Sequence, residues 1–229
     1  MEELNFEEGV VLLIDKPYTW TSFDAVRKIR NSIRIKKIGH AGTLDPLATG
    51  LLIMCTGKFT KQIDKIQNAN KEYLCEMTIG KTTPSFDLET EVDAEFPFEH
   101  VTKDLFLKTA EAFTGDIAQV PPMFSALKVD GQRLYKLARK GETIALKSRD
   151  ITIHSIELLV FDAPVISFRV TCSKGTYIRS LVRDMALAMD TGAYMSALRR
   201  TKIGDYDVND AILIEDFVAK YGKKREENP

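Results

Sequence analysis

Residues 39–50 read Gly-His-Ala-Gly-Thr-Leu-Asp-Pro-Leu-Ala-Thr-Gly. Three glycines and a proline within this stretch are too many backbone punctuators for a helix or strand interior, so it is read as a structured loop. Immediately after it, residues 51–55 (Leu-Leu-Ile-Met-Cys) form an apolar run of strand length, as expected for a buried strand. Upstream, residues 10–14 form a second such run, ending at Asp15-Lys16-Pro17, where proline cannot continue a sheet ladder. Between them, Thr21 and Asp24 have the spacing of a capping box. Phe23, Val26, Ile29 and Ile33 then recur at helical spacing, leaving Arg27, Arg30 and Arg34 on the opposite face. The loop thus joins core elements in the order strand, helix, loop, strand.

Further along, 73–79, 151–160 and 166–172 read as strands, and 105–113 as a helix closed by Gly115. Pro121-Pro122 opens a polar insertion that runs to residue 150. A last well-marked helix follows Gly175: Ile178, Leu181, Val182, Met185 and Met189 make one apolar stripe, Arg179 and Arg183 share another face, and Gly192 ends it. Neither an internal repeat nor a Gly/Ser linker is found. The reading is therefore one mixed α/β (α+β) domain over 1–215, with sheet segments brought together from across the chain, and a C-terminal tail over 216–229 whose last seven residues are frayed.

At 229 residues, such a chain buries roughly 70% of its unfolded surface. A composition 44% hydrophobic and 28% charged argues against disorder and fibrous repeats. Every apolar run falls well short of the roughly 18 residues of a membrane span, and the N-terminus is acidic where an export signal is basic. A cytoplasmic protein without a membrane role is expected. Cys55, Cys75 and Cys172 are widely spaced, with no Cys-x-x-Cys, which points to neither disulfides nor zinc. The net charge of -1 hides an uneven distribution. Residues 84–100 carry acids without Lys or Arg, whereas basic residues gather at 27–37, at 128–149 and at 174–202. One such cluster usually just faces water, but three together suggest a polyanionic partner.

Common chemistries can be set aside. Gly57-Lys58 lacks the rest of a phosphate-binding loop, no Gly-x-Ser-x-Gly is present, and His40, His100 and His154 do not fall at metal-ligand spacing. What remains is one carboxylate, Asp45, and one imidazole, His40, in the glycine-rich loop. Asp45 either bonds backbone amides in a tight turn or, fixed and partly desolvated, serves as nucleophile or base. In the second case a buried carboxylate needs a cation to stay ionised, and Arg179 is the candidate.

The loop resembles the signature loop of the bacterial tRNA pseudouridine-55 synthase family (TruB type). Other family landmarks follow in order: Leu-Leu-Ile-Asp-Lys-Pro at 12–17, Lys71-Glu72-Tyr73, Pro-Pro-Met-Phe-Ser-Ala-Leu-Lys at 121–128, Cys-Ser-Lys-Gly-Thr-Tyr-Ile-Arg at 172–179, and Leu198-Arg199-Arg200. The resemblance implies the pseudouridine synthase fold, a mixed, largely antiparallel central sheet flanked by helices and loops. It implies isomerisation of a uridine in the T loop of tRNA, with no cofactor and no metal. Asp45 becomes the catalytic aspartate, acting as nucleophile or as a base on the ribose. Arg179 becomes its partner, and Tyr73 the ring stacked on the uracil. His40 comes to sit against the RNA near the vacated base position, Tyr177 and Leu198 become uridine-pocket residues, and Lys16 a structural lysine near the site. The insertion resembles an RNA-clasping loop, with Lys128, Arg133, Lys136, Arg139 and Lys140, joined by Arg199 and Arg200, as RNA contacts. The partner is the tRNA T arm, engaged by a monomer.

The sequence also departs from the family pattern. Many relatives carry a further C-terminal RNA-binding domain, whereas this sequence stops about thirty residues after Leu-Arg-Arg, so a short form is expected. The usual Arg-Thr-Asp-Thr after the tyrosine strand reads Thr82-Thr83-Pro84-Ser85 here, with Asp87 keeping a later acidic position. Tyr18-Thr19-Trp20 stands where a glycine is common. Two other readings are a non-catalytic tRNA-binding or folding module, and the same isomerisation on another RNA stem-loop.

Overall fold

A computed structural model describes residues 4–129, 131–142 and 144–223. In chain order the elements begin with β1 (Val11–Lys16), α1 (Ser22–Ile33), β2 (Ile38–His40), β3 (Ala48–Thr56), α2 (Ile63–Asn68), β4 (Lys71–Ile79), β5 (Lys81–Thr82), β6 (Ala94–Glu95) and α3 (Lys103–Ala112). Then come β7 (Gly115–Gln119), β8 (Lys128–Val129), β9 (Gln132–Arg133), α4 (Leu134–Ala138), β10 (Arg149–Asp162) and β11 (Val165–Cys172). The chain closes with α5 (Ile178–Ala188), β12 (Ala193–Ile203), β13 (Tyr206–Asp207), β14 (Ile212–Leu213) and α6 (Ile214–Tyr221). It divides into two compact units, residues 1–73 with 199–229, and residues 74–198. The division runs through β4 and β12, where sequence reading finds a single domain and no linker.

In the first unit the strand order is β14-β1-β3-β12. β1 pairs with β3 antiparallel from Val11↔Cys55 to Lys16↔Gly50, β2 pairs with β3 antiparallel, and β14 joins β1 in parallel. Alternation on β1 puts Leu12, Ile14 and Lys16 on one face. Leu12 and Ile14 pack with Leu52 and Met54 of β3, Ala25, Ile29 and Ile33 of α1, and Ile214 and Phe217 of α6. The other face of β3 buries Leu51, Ile53 and Cys55 against Ala41, Ile66 and Ile203. Covered on both sides, β3 reads as an unbroken apolar run rather than an alternating one.

The capping box of α1 is present, Thr21 and Asp24 each receiving the other's backbone N–H. The buried stripe, however, is Ser22, Ala25, Ile29 and Ile33. Phe23, expected inward, is 65% exposed and lies beside Arg27. Small residues set the packed face of this helix, and a count of large apolar positions misses them. α6 continues to Tyr221, with Phe217 in the core. The expected tail over 216–229 is therefore helical as far as Tyr221, and residues 224–229 lie outside the described residues.

In the second unit the order is β4-β11-β10-β7. β10 pairs antiparallel with β11 on one side and β7 on the other. α3 and α5 supply helical cover, Phe106 of α3 meeting Phe168 of β11 at 5.9 Å between ring centroids. α5 ends at Ala188, and the left-handed residue that follows it is Asp190, at φ 56, rather than Gly192. Gly192 is needed for space instead, since a Cβ there would come within 2.5 Å of the Phe96 ring. Each unit thus builds a mostly antiparallel sheet flanked by helices.

Candidate active site

The loop between β2 and β3 is held by side chains from three elements, and all three hold its main chain. From α1, the buried Ser22 hydroxyl accepts from the Leu44 N–H at 2.9 Å and donates to the Leu44 carbonyl at 3.1 Å. From β1, the Lys16 ammonium donates to the carbonyls of Trp20 at 2.6 Å, Pro17 at 2.9 Å and Pro46 at 3.3 Å. From β12, Arg200 donates to the carbonyls of Leu51 at 2.8 Å, Gly42 at 3.3 Å and Thr43 at 3.4 Å. Asp45 lies half-buried between these tethers, its own carbonyl accepting from the Ala48 N–H at 3.1 Å.

The electrostatics follow from burial. Lys16 has no exposed surface, and burial pulls its ammonium down to a pKa of about 8, with the Asp45 carboxylate opposing and Arg200 reinforcing the shift. Burial likewise pushes the His40 imidazole below its ordinary value, with a Gly42 backbone group opposing and the Arg200 charge assisting. His40 is thus neutral near pH 7. Its Nδ1 is buried without a hydrogen-bond partner, and a buried polar atom left in that state is ready to accept or donate to a ligand. Tyr73 is buried in β4, at 8% exposure. A carboxylate on so constrained a main chain can attack or deprotonate a substrate with little backbone reorganisation.

Arg179, Tyr177 and Leu198 belong to the second unit. Arg179, expected to share a helix face with Arg183 and to partner a buried carboxylate, is 3% exposed. It donates to the carbonyls of Phe124 at 2.9 Å and Ser85 at 3.2 Å, and its Nε stands 3.6 Å from Asp87 Oδ2. Asp87 is itself buried and accepts from the Glu89 N–H at 2.9 Å. Burying a guanidinium requires such a partner and saturated donors. Tyr177, at the start of α5, is fixed by the buried Gln119 amide, which donates to its carbonyl at 3.1 Å and accepts from its N–H at 2.8 Å. Leu198 is buried in β12.

The basic residues expected at RNA divide. Arg133, Lys136, Arg139 and Lys140 are exposed, with Arg139 paired to Glu89 at 2.6 Å. The side chain of Lys128 lies outside the described atoms. Arg199 is engaged by Asp15 through two bonds, at 2.7 and 3.0 Å. Arg200, at 1% exposure, is not a surface cation: each of its three guanidinium nitrogens donates to a main-chain carbonyl. Sequence reasoning passed over Gln119 and Ser22, since a lone amide or hydroxyl carries no periodic signal. Asp87 stood out only as an acid persisting where neighbouring family positions had changed.

Residues 30–178 match the family model described as TruB family pseudouridylate synthase, N-terminal domain. The chain belongs to the TruB family. Residues 179–228 match the tRNA pseudouridylate synthase B C-terminal domain, so the part expected to run out into a tail falls within a TruB family domain model. A TruB relative from Flavobacterium johnsoniae named tRNA pseudouridine synthase B is 56% identical over 217 residues, covering 92% of this chain and 95% of that protein. One of the same name from Parabacteroides distasonis is 50% identical over 98% of this chain and 99% of its own. Among solved structures, a chain of an H/ACA ribonucleoprotein bound to a substrate RNA containing 2'-deoxyuridine superposes with a TM-score of 0.72 at 28% identity over 94% of this chain. A chain of a Cbf5-Nop10-Gar1 complex does so with the same score at 30% identity. This TruB chain spans about half the length of those two, 54% and 55%.

Proposed function

We propose that this protein is a tRNA pseudouridine synthase that isomerises uridine 55 in the T loop. The observation that carries the reading is that an Asp45 loop with a pinned main chain lies in a chain 56% identical, nearly end to end, to a tRNA pseudouridine synthase B. The reaction breaks the C1'–N1 glycosidic bond, turns the uracil, and forms a C1'–C5 bond; the C5 proton leaves and N1 gains one. Asp45 acts as nucleophile or as base on the ribose, and Arg179 keeps it charged. Tyr73 stacks on the base and assists removal of the C5 proton. The neutral His40 imidazole offers Nδ1 toward the RNA, and Tyr177 and Leu198 line the uridine pocket.

A uridine within a folded loop must be extruded at a cost of a few kcal/mol, which stacking and phosphate contacts offset. The exposed cations of the insertion, Arg133, Lys136, Arg139 and Lys140, suit that task. The T arm is the part of the tRNA engaged, and one copy of the chain in the cytoplasm is the working unit; sedimentation of the protein with a T-arm hairpin tests that stoichiometry.

The direct test is tritium release from a tRNA transcript labelled at uridine C5, comparing the native chain with Asp45→Asn and mapping the modified position. Release at position 55 by the native chain alone is expected. Binding of tRNA without release by either protein would overturn the assignment in favour of a binding module. Release from a different stem-loop would overturn the substrate.

A further inference from the structure

Arg200 is buried where a nucleic acid cannot reach it. Its described hydrogen bonds end on three main-chain carbonyls, and two of these, Gly42 and Thr43, stand immediately upstream of Leu44 and Asp45. The close approach is made by Gly50, at φ 99, where a Cβ would stand 2.3 Å from the Arg200 carbonyl oxygen. No residue but glycine fits, so the backbone of β12 lies directly against the start of β3 and delivers the guanidinium beneath the loop. Ser22 holds the next peptide through Leu44, and Lys16 holds Pro46 from the other side. Asp45 thus stands between two neighbours, Leu44 and Pro46, whose peptide groups are tied down by side chains.

We propose that Arg200 is a positioning residue for the Asp45 carboxylate, fixing the loop through the Gly42 and Thr43 carbonyls, and that it makes no phosphate contact. The inference rests on the reading of Asp45 as the reacting carboxylate. The planar fork of a guanidinium can serve several carbonyls at once while its charge never titrates away. A lysine there keeps the charge but reaches fewer acceptors. Because reacting groups misplaced by about 1 Å lose on the order of a hundredfold in rate, a positioning role and a phosphate-binding role separate cleanly. The first governs the rate on bound RNA. The second governs affinity and its dependence on salt.

The experiment compares the native chain with Arg200→Met and Arg200→Lys, using a tRNA transcript labelled at uridine C5. Single-turnover release at saturating enzyme, affinity by filter binding across a salt series, and hydrogen exchange of the 41–48 segment are measured. Expected are a rate loss of roughly a hundredfold for Arg200→Met, partial recovery in Arg200→Lys, affinity within about twofold of native with an unchanged salt slope, and faster exchange at 41–48 but not in α1. An unchanged saturated rate in a folded variant overturns the proposal. So does weakened affinity with a salt slope shallower by about one. If Arg200→Met does not fold, Arg200→Lys carries the comparison. Should the native chain release no tritium, the functional reading fails separately, and unchanged exchange at 41–48 would still overturn the holding role.

Discussion

The Nε of Arg179 stands 3.6 Å from Asp87 Oδ2, with both side chains sealed from solvent at 3% and 4% exposure. Removing one partner of a buried ion pair costs about 3–5 kcal/mol, because the other charge stays behind. Asp87→Asn keeps the shape and removes the charge. It should lower unfolding free energy by roughly that amount in urea titrations and reduce the single-turnover rate, with Arg179 no longer held in one orientation. A native-like melt would refute the pairing.

Lys16 carries a pH dependence whose two signs are opposite. Its pKa falls from 10.5 to about 8 in the folded protein, so between those values the unfolded chain binds more protons. Its contribution to stability therefore rises with pH across that window, and the full penalty of the buried charge is present below about 8. The loop behaves in reverse. A neutral amine has two N–H groups for three carbonyls, so a tether is lost as pH rises through about 8. A single-turnover profile should show an alkaline limb near there that shifts in Lys16→Arg; a shared, unshifted limb would assign it to another group.

Gln119 is the brace for Tyr177. Gln119→Leu removes both bonds to the Tyr177 backbone; the Tyr177 carbonyl keeps the Leu181 N–H, while the Tyr177 N–H loses its Gln119 acceptor, at a cost of about 1–3 kcal/mol. The expected signature is a lowered melting temperature with a raised KM for tRNA, as the start of α5 loosens. Calorimetry and steady-state kinetics on one preparation check it.

Several features were legible in the sequence because they are local. The Thr21–Asp24 box fixes the start of α1, and apolar runs mark β1 and β3 to within a few residues. What escaped depends on residues far apart in the chain. Arg179 was legible as a cation for a buried carboxylate, but that Asp87, ninety-two positions earlier, stands against it was not. Arg200 looked like a phosphate ligand until its acceptors proved to be carbonyls of the loop and of β3. A cation on a strand has the same letter whether it meets water or a buried peptide, and only its surroundings tell the two apart.

The insertion gives a prediction of a different kind. Arg133, Lys136 and Lys140 are exposed, so replacing all three by glutamine should leave the melting temperature unchanged. Affinity for tRNA should fall, and the salt slope should become shallower by about 0.7–0.9 for each phosphate no longer neutralised. Equal slopes for variant and native protein would remove the insertion from the RNA interface.

The tethers on the Asp45 loop grip peptide groups and leave side chains alone. Thr43 is exposed although its carbonyl is held by Arg200. Geometry and surface chemistry are thus carried by different atoms of the same residue. Thr43 is therefore a place where the outer face of the loop can be rewritten, by natural drift or by engineering for another RNA, while the carboxylate two residues on stays where it is.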